Sequence, residues 1–312
     1  MISLYRNHFQ NFKQYNIPRA QLVIADVPYN VGNFAYGSNP AWYVDGDNKN
    51  GASKLAGKSF FDTDENFRLA EYLHFCSKLL IKEPKETGKA PCMIVFCEFE
   101  QQFFLIEEAQ KYGFKNYINL VFRKNSSAQV LKANMRIVGN CEYALVLYRN
   151  KLPKFNNNGK MIFNCMDWEK DTTSPKLHPT QKPVAVLKKL ISIFTDEGEV
   201  VIDPVAGSGS TLIAAHQLGR KAYGFEIKKE YYITAQKWID ETLAQKDLFI
   251  TENNQRRIFE ENKTANAEIG YEQSQLHKIR CHDGTPPGGH LYRDADRGLL
   301  CQRGRKRYLP GA

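Results

Sequence analysis

Two short segments of this chain carry residue types that could do chemistry. The first lies near the start of the chain and brings together Asp26, Pro28 and Tyr29. Asp26 and the Pro28 carbonyl can each accept a hydrogen bond, and the proline ring restricts the backbone that presents this carbonyl. The Tyr29 ring offers a flat face for stacking. Together these groups could hold a planar molecule that carries an amine.

The second segment covers residues 203–211 and reads DPVAGSGST. Its aspartate suits the ammonium group of a ligand. Glycines let the backbone approach a ligand closely, and N–H groups at the start of a following helix favour electronegative ligand atoms. An acid about twenty residues further on has the spacing at which a carboxylate reaches a ribose diol. The predicted ligand-binding residues are Asp203, Pro204, Ala206, Gly207, Ser208, Gly209 and Glu226.

Two other interpretations of this second segment stay open, an ordinary glycine turn and a nicotinamide dinucleotide site. The dinucleotide fingerprint G-x-G-x-x-G is absent, because Gly207 and Gly209 are followed by Leu212 where the third glycine would stand. This difference favours a ligand with an ammonium group and a ribose over a dinucleotide.

The elements that must position these residues alternate between buried strands and helices. Strands are predicted at Gln21–Asp26, Pro91–Phe99, Tyr117–Arg123, Cys141–Tyr148, Val200–Asp203 and Lys221–Ile227. Helices are predicted within residues 64–82 and at Gln101–Tyr112, Thr180–Phe194, Ser210–Leu218 and Lys229–Gln245. This alternation predicts an α/β fold with a mostly parallel, doubly wound sheet. Both chemical segments follow the carboxyl ends of strands, where such sheets bind ligands.

The two segments, in this order, resemble the β class of adenine-N6 and cytosine-N4 DNA methyltransferases over residues 18–240. The resemblance implies a Rossmann-like methyltransferase fold with a circularly permuted motif order and S-adenosylmethionine as the methyl donor. It makes Asp26, Pro28 and Tyr29 the catalytic residues, which accept hydrogen bonds from the exocyclic amine and stack on the flipped base. No metal is required. Val27 stands where this family usually has a first proline.

A third segment adds to this resemblance. Residues 178–183, which read HPTQKP, resemble the stretch that helps hold the methionine end of the donor in this class. The resemblance assigns His178, Thr180, Lys182 and Pro183 to donor binding. By composition alone the same residues could form a proline-bounded turn before a helix.

The resemblance implies methylation of double-stranded DNA at adenine N6, since an aspartate at the first motif position is typical of adenine enzymes. Cytosine N4 is the first alternative. A catalytically weak DNA-binding relative is the second, suggested by Val27 and the unusual C-terminal tail, and a nicotinamide enzyme is the third. A homodimer and a cognate restriction enzyme are candidate partners.

The composition agrees with a polyanionic partner without requiring one, because the net charge is +9. No apolar run is long enough to span a membrane, and the first residues lack a signal-peptide pattern, so a cytoplasmic location is expected. The seven cysteines form no C-x-x-C pair. They are expected to be buried free thiols, and no metal site is expected.

The catalytic domain is predicted to span residues 1–248, with a target-recognition segment at 150–178. Aromatic and lysine residues in the 31–60 loop, and the basic residues Arg123, Lys124, Lys132 and Arg136, are candidate DNA contacts. Residues 249–312 form a polar, basic extension that is either a DNA-contacting element or a disordered or non-native end.

Overall fold

The computed structural model describes residues 1–28, 67–125, 129–132, 137–169, 171–177, 181–245, 290–294 and 298–302. The strands are β1 (Ile2–Tyr5), β2 (Leu22–Asp26), β3 (Cys92–Phe96), β4 (Asn116–Arg123), β5 (Gln129–Lys132), β6 (Ile137–Gly139), β7 (Cys141–Tyr148), β8 (Cys165–Asp167), β9 (Val200–Asp203), β10 (Lys221–Phe225), β11 (His290–Asp294) and β12 (Gly298–Gln302).

The helices are α1 (Leu69–Leu79), α2 (Gln101–Lys111), α3 (Val184–Phe194), α4 (Ser210–Gln217) and α5 (residues 229–245), with a 3-10 helix at Phe9–Gln14. Within the described ranges, no helix is long and apolar enough to cross a bilayer.

Eight strands form one sheet, in the spatial order β1-β10-β9-β2-β3-β7-β4-β8. Strand β7 pairs antiparallel with both of its neighbours, whereas the other pairings of this sheet are parallel. The sheet is therefore mixed and mostly parallel, as the sequence predicts. A separate two-stranded sheet, β5 with β6, stands in the polar stretch between β4 and β7.

The chain changes direction across the sheet between β2 and β9. From β9 it passes through α4 to β10 on one side, and from β2 it passes through α1 to β3 on the other. Because β2 and β9 are adjacent and parallel, their carboxyl ends border the crevice where the two crossovers diverge. Open α/β sheets bind their ligands at such a switch point.

Helices cover both faces of the sheet, so the central strands are apolar on both sides. In β2, Leu22 and Ile24 face the core that contains α3, α4 and α5, and Val23 and Ala25 face the core that contains α1 and α2. All four side chains are at most 1% exposed. This burial on two faces is the reason that the strand reads as a continuous apolar run in the sequence.

The observed bounds confirm the main predicted elements and correct several ends. Strand β7 has the predicted bounds, and β3 is shorter than the predicted Pro91–Phe99. Helix α3 begins at Val184 rather than at Thr180, because Pro183 has an extended backbone and its ring also disfavours helical geometry at the residue before it. The short strands β1 and β8 were not predicted from the sequence.

The cysteine prediction holds for part of the chain. Cys76, Cys92 and Cys97 are buried free thiols, whereas Cys141 is partly exposed and Cys165 is exposed. Burial raises the pKa of the Cys76 and Cys97 thiols to about 12. These buried thiols therefore pack as small apolar side chains.

The chain separates into two compact units, Met1–Leu243 and Ala244–Ala312. The first contains the eight-stranded sheet and its helices. The second contains the end of α5 and the strands β11 and β12, which pair antiparallel.

Candidate active site

Asp26 and Asp203 end two adjacent parallel strands. Val23 of β2 lies opposite Ile202 of β9, so both aspartates stand at the carboxyl edge of the sheet. Neighbouring strands lie about 4.8 Å apart. The two carboxylates also interact electrostatically, since the charge of Asp26 contributes to the raised pKa of Asp203. The fold thus brings together the two segments that the sequence singled out.

The loop from β9 to α4 has glycines that leave part of its backbone accessible to a ligand. Gly207 and Gly209 have positive φ angles of 52° and 81°, a conformation that glycine adopts far more readily than other residues. A Cβ atom on Gly207 would meet nothing within 4 Å, so open space lies in front of it. A Cβ atom on Gly209 would lie 3.3 Å from the Ala235 Cβ atom, which shows close packing beneath the start of α4.

Asp203 is the most deeply buried carboxylate of this loop, with 3% of its surface exposed. Its Oδ1 atom accepts a hydrogen bond from the Val205 N–H at 3.0 Å, and the Thr211 side chain also hydrogen-bonds to it. Burial raises the pKa of Asp203 to about 7, more than these hydrogen bonds lower it, and the nearby charges of Asp26 and Glu226 add to the rise. Among the described residues no lysine or arginine forms an ion pair with Asp203, and a buried acid in this state suits a positively charged ligand group.

Glu226 follows β10 and closes the same loop from the next strand. Its two carboxylate oxygens accept hydrogen bonds from the Gly207 and Lys228 N–H groups, each at 2.8 Å. Burial raises the pKa of Glu226 despite these bonds. Because a carboxylate has about four lone-pair directions, Glu226 can accept further hydrogen bonds from ligand hydroxyl groups. The buried acids and the space before Gly207 fit a ligand that carries an ammonium and a ribose.

The remaining residues of the β9–α4 loop stabilise its conformation through hydrogen bonds. The Ala206 N–H donates to the Phe225 carbonyl at 2.8 Å, which ties the loop to β10. The hydroxyl groups of Ser208 and Ser210 lie 2.9 Å apart and share a hydrogen bond. Pro204 stands directly after Asp203 at the strand end.

Lys182 contacts Asp26. Its Nζ atom donates to Asp26 Oδ2 at 2.7 Å and lies 3.7 Å from Glu142 Oε2. Burial disfavours the charged lysine, but the charges of Asp26 and Glu142 outweigh it, so the pKa of Lys182 is raised. The resemblance assigns Lys182 to donor binding, and in the structure its ammonium group is paired with the Asp26 carboxylate. Pro183 follows it as the residue that precedes α3.

Glu142, in β7, belongs to the same charged cluster and was not found by sequence analysis. It is ion-paired with Lys124 as well as with Lys182, and these two lysines lower the pKa of Glu142 despite its burial. Lys124 and Arg123 were predicted to contact DNA phosphates. In the structure Arg123 is paired with Asp167 at 2.7 Å, so both basic side chains have acidic partners.

Pro28 is partly buried and follows the end of β2 by two residues. Its carbonyl oxygen accepts a hydrogen bond of 3.4 Å from the Gln101 side-chain amide at the start of α2. The other predicted residues, Tyr29, His178 and Thr180, lie outside the described residues, as do the 31–60 loop and Arg136.

Comparisons with known proteins agree with this fold. A family model described as "DNA methylase" (N6_N4_Mtase) matches residues 20–237. The DNA adenine methyltransferase YhdJ of Escherichia coli is 27% identical over 229 residues, which are 67% of this chain and 72% of that protein. The Type II methyltransferase M2.DpnII of Streptococcus pneumoniae is 25% identical over 255 residues, 77% of this chain and 90% of that protein.

A shorter match is stronger in identity. The Escherichia coli methylase YubD is 36% identical over 124 residues, which are 40% of this chain and about half (51%) of that protein.

Solved structures share the fold. The complex of M1.HpyAVI with S-adenosylmethionine has a TM-score of 0.55 at 24% identity and covers 77% of this chain and 99% of its own. The cytosine-N4-specific PvuII methyltransferase has a TM-score of 0.53 at 14% identity and covers 76% of this chain and 86% of its own. With the family model spanning well over half of its length, the chain belongs to the N6/N4 DNA methylases, the family of DNA amino-methyltransferases.

Proposed function

We propose that this protein transfers a methyl group from S-adenosylmethionine to the N6 amine of adenine in double-stranded DNA. The observation that carries the proposal is the position of Asp26 and Asp203 at the carboxyl ends of adjacent strands. One carboxylate is buried beside an open glycine loop, and the other is partly exposed and paired with a lysine. The two surroundings suit two different substrates.

On the donor side, Asp203 would bind the ammonium group and Glu226 the ribose hydroxyls. The glycines of the β9–α4 loop let the donor lie against the backbone, and the start of α4 favours its electronegative atoms. S-adenosylmethionine, when bound, supplies an electrophilic methyl group on a sulfonium. The charge complementarity of the two buried acids contributes binding and orientation.

On the acceptor side, the exocyclic amine of a base is a poor nucleophile because its lone pair is delocalised into the ring. The Asp26 carboxylate and the Pro28 carbonyl would accept hydrogen bonds from this amine and favour a tetrahedral nitrogen. As the nitrogen would form its bond to the methyl carbon, the bond from that carbon to sulfur would break and leave a neutral thioether. The Asp26 carboxylate would stabilise the positive charge that grows on the nitrogen and take the departing proton. Catalysis then consists of positioning and charge complementarity.

The target base has to leave the helix to reach this site, at a cost of roughly a few kcal/mol. Tyr29 would then stack on the extruded base, in the role that the sequence predicts for it. Support for adenine comes from the aspartate at position 26 and from the similarity to YhdJ, which is named as a DNA adenine methyltransferase. The similarity to Type II methyltransferases supports a part in restriction and modification.

The test is to express the full chain in a host that lacks adenine-N6 and cytosine-N4 methylation, and to digest the host DNA to nucleosides for mass spectrometry. We expect N6-methyladenine, and none with the Asp26→Ala variant or the empty vector. N4-methylcytosine in place of N6-methyladenine would reassign the base. If a folded protein that binds the donor yields neither product, the proposal is wrong.

A further inference from the structure

We propose that Lys182 is a positioning residue for the acceptor carboxylate Asp26, and that Glu142 holds Lys182 in place for this task. The inference rests on the proposed function and assigns Lys182 to the acceptor side of the reaction rather than to the methyl donor. It starts from the ion pair between Lys182 and Asp26, two residues that lie 156 positions apart in the sequence.

The lysine is enclosed and has defined partners. Its side chain is 8% exposed, with the Nζ atom 2.7 Å from Asp26 and 3.7 Å from Glu142. The same atom lies 5.3 Å from the centre of the Phe96 ring and 5.9 Å from that of Trp168, so aromatic faces add cation–π attraction. A buried ammonium with these contacts has few alternative positions.

The backbone on either side limits its movement further. Pro183 follows Lys182 directly, has φ −60° and ψ 132°, and is the last residue before α3. A residue before proline is restricted to extended geometry. Glu142 lies in β7, an interior strand of the sheet, and is paired on its other side with Lys124. The charges therefore alternate along the chain of contacts Asp26, Lys182, Glu142 and Lys124.

This arrangement has a consequence for the reaction. Asp26 is the last residue of β2, and the terminal torsion of an aspartate is broad, so its carboxylate has no fixed orientation of its own. The hydrogen bond from Lys182 fixes one oxygen and hence the plane of the carboxylate. Methyl transfer depends on the direction in which the amine is held, and a displacement of about 1 Å can cost about 100-fold in rate.

The experiment separates this role from donor binding. Lys182→Met, Lys182→Arg and the wild type are compared as full chains by calorimetry with S-adenosylmethionine, and by single-turnover methylation at saturating donor and DNA. We expect Lys182→Met to lower the single-turnover rate by about 100-fold, while the donor Kd stays within about threefold of that of the wild type. Lys182→Arg should restore much of the rate, because a guanidinium can also donate to Asp26 and Glu142.

The matched control is Lys89→Met. Lys89 is an exposed lysine paired with Glu86 just before β3, at the opposite edge of the sheet from the site. It should match the wild type in both measurements. Adding Lys182→Met to Asp26→Asn should cause no further loss of rate, because the lysine acts through the aspartate.

Three results would overturn the inference. These are a Lys182→Met rate within threefold of that of the wild type, a donor Kd raised tenfold with the saturated rate unchanged, and a full additional loss in the Asp26→Asn background. If Lys182→Met does not fold, Glu142→Gln is measured in the same way and is expected to lower the rate without weakening the donor. A wild type that binds the donor but methylates no DNA contradicts the proposed function itself, a result distinct from these three.

Discussion

Asp26 and Asp203 are the same residue type at the ends of adjacent strands, yet their surroundings differ. The Asp26 side chain is 29% exposed and has a cationic partner in Lys182. Asp203 is 3% exposed, and the hydrogen bonds that it accepts come from the neutral groups of Val205 and Thr211. The first environment suits a carboxylate that meets the substrate during the reaction. The second suits a carboxylate that binds a cationic ligand group.

Asp26→Ala is expected to abolish methyl transfer while donor binding stays close to normal. In the proposed mechanism this carboxylate accepts a hydrogen bond from the amine in the transition state, and removing such a group costs about 3 kcal/mol or more, roughly 100-fold in rate. Single-turnover kinetics and donor calorimetry check the two halves of this expectation. A rate within tenfold of that of the wild type would contradict the assigned role.

Donor binding is expected to depend on pH through Asp203. Its raised pKa of about 7 means that the carboxyl is protonated at lower pH, and a cationic ligand group can pair with it only after that proton leaves. Donor affinity should therefore fall as the pH drops from 7 to 5.5, approaching tenfold per pH unit, with proton release on binding. This range lies below the one in which an α-amino group titrates.

Calorimetry in two buffers of different ionisation enthalpy measures both the donor affinity and the number of protons released on binding. Within the described part of the chain, Asp26, Glu226 and the buried Tyr72 hydroxyl are titratable groups that interact with Asp203. Glu226→Gln should keep the pH dependence, whereas Asp203→Asn should bind weakly and lose it. A donor affinity that is constant from pH 5.5 to 7 in the wild type would show that Asp203 does not hold the ammonium group.

At the scale of elements, the β9–α4 loop allows a test of donor contact by substitution at two glycines. Gly207 and Gly88 both have positive φ angles, 52° and 76°, and a Cβ atom on either would meet nothing within 4 Å. Alanine at each position should therefore cost a similar free energy of folding, about 1–2 kcal/mol, from backbone strain alone. Gly207→Ala should also weaken donor binding, because the new methyl group occupies the space predicted for the ligand.

Thermal or urea unfolding and donor calorimetry distinguish the two effects. Gly88 lies in the turn before β3, away from the site, so Gly88→Ala should bind the donor normally despite its lower stability. Equal donor affinity in the two variants would place the ligand elsewhere.

The elements that the sequence predicts well are those whose own residues are apolar enough to indicate that they are buried. Strands β7 and β9 are buried apolar segments, and the alternation of such strands with helices predicts the mostly parallel sheet. Strand β1 has one fully buried position out of four and β8 one out of three, so neither forms a continuous buried apolar run. Two residues give opposite signals for the start of α3: Thr180 is a potential cap, whereas Pro183 disfavours helical geometry at the residue before it, and the helix begins only after Pro183.

The residues of the candidate site also divide into those that the sequence can predict and those that it cannot. The aspartates and glycines could be predicted from the sequence because strand, acid and glycine stand together in one short segment. The contact of Lys182 with Asp26 could not, because it joins residues 156 positions apart and depends on how α3 approaches the sheet. One local signal was available for Glu142, a charged residue inside an otherwise apolar strand, which is rarely buried without a partner.

At the scale of the whole molecule, the distribution of net charge predicts that the first 245 residues supply most of the DNA affinity. Residues 246–312 hold 12 lysines and arginines against 9 aspartates and glutamates, so they carry +3 of the total net charge of +9. Most of the positive charge therefore belongs to the part that contains the sheet and the site. Because phosphate neutralisation dominates DNA affinity, that part should supply most of the binding.

Truncation after residue 245 tests this division. We expect the shortened protein to stay folded and to bind the donor normally, because the described core of the sheet and its helices lies before that point. The slope of log DNA affinity against log salt should be unchanged, since each lost phosphate contact would reduce it by about one unit. A smaller slope would instead assign phosphate contacts to the tail, with Arg303, Arg305, Lys306 and Arg307 as the first residues to substitute. Aggregation of the shortened protein would show that the tail completes the core and that the catalytic domain extends beyond residue 248.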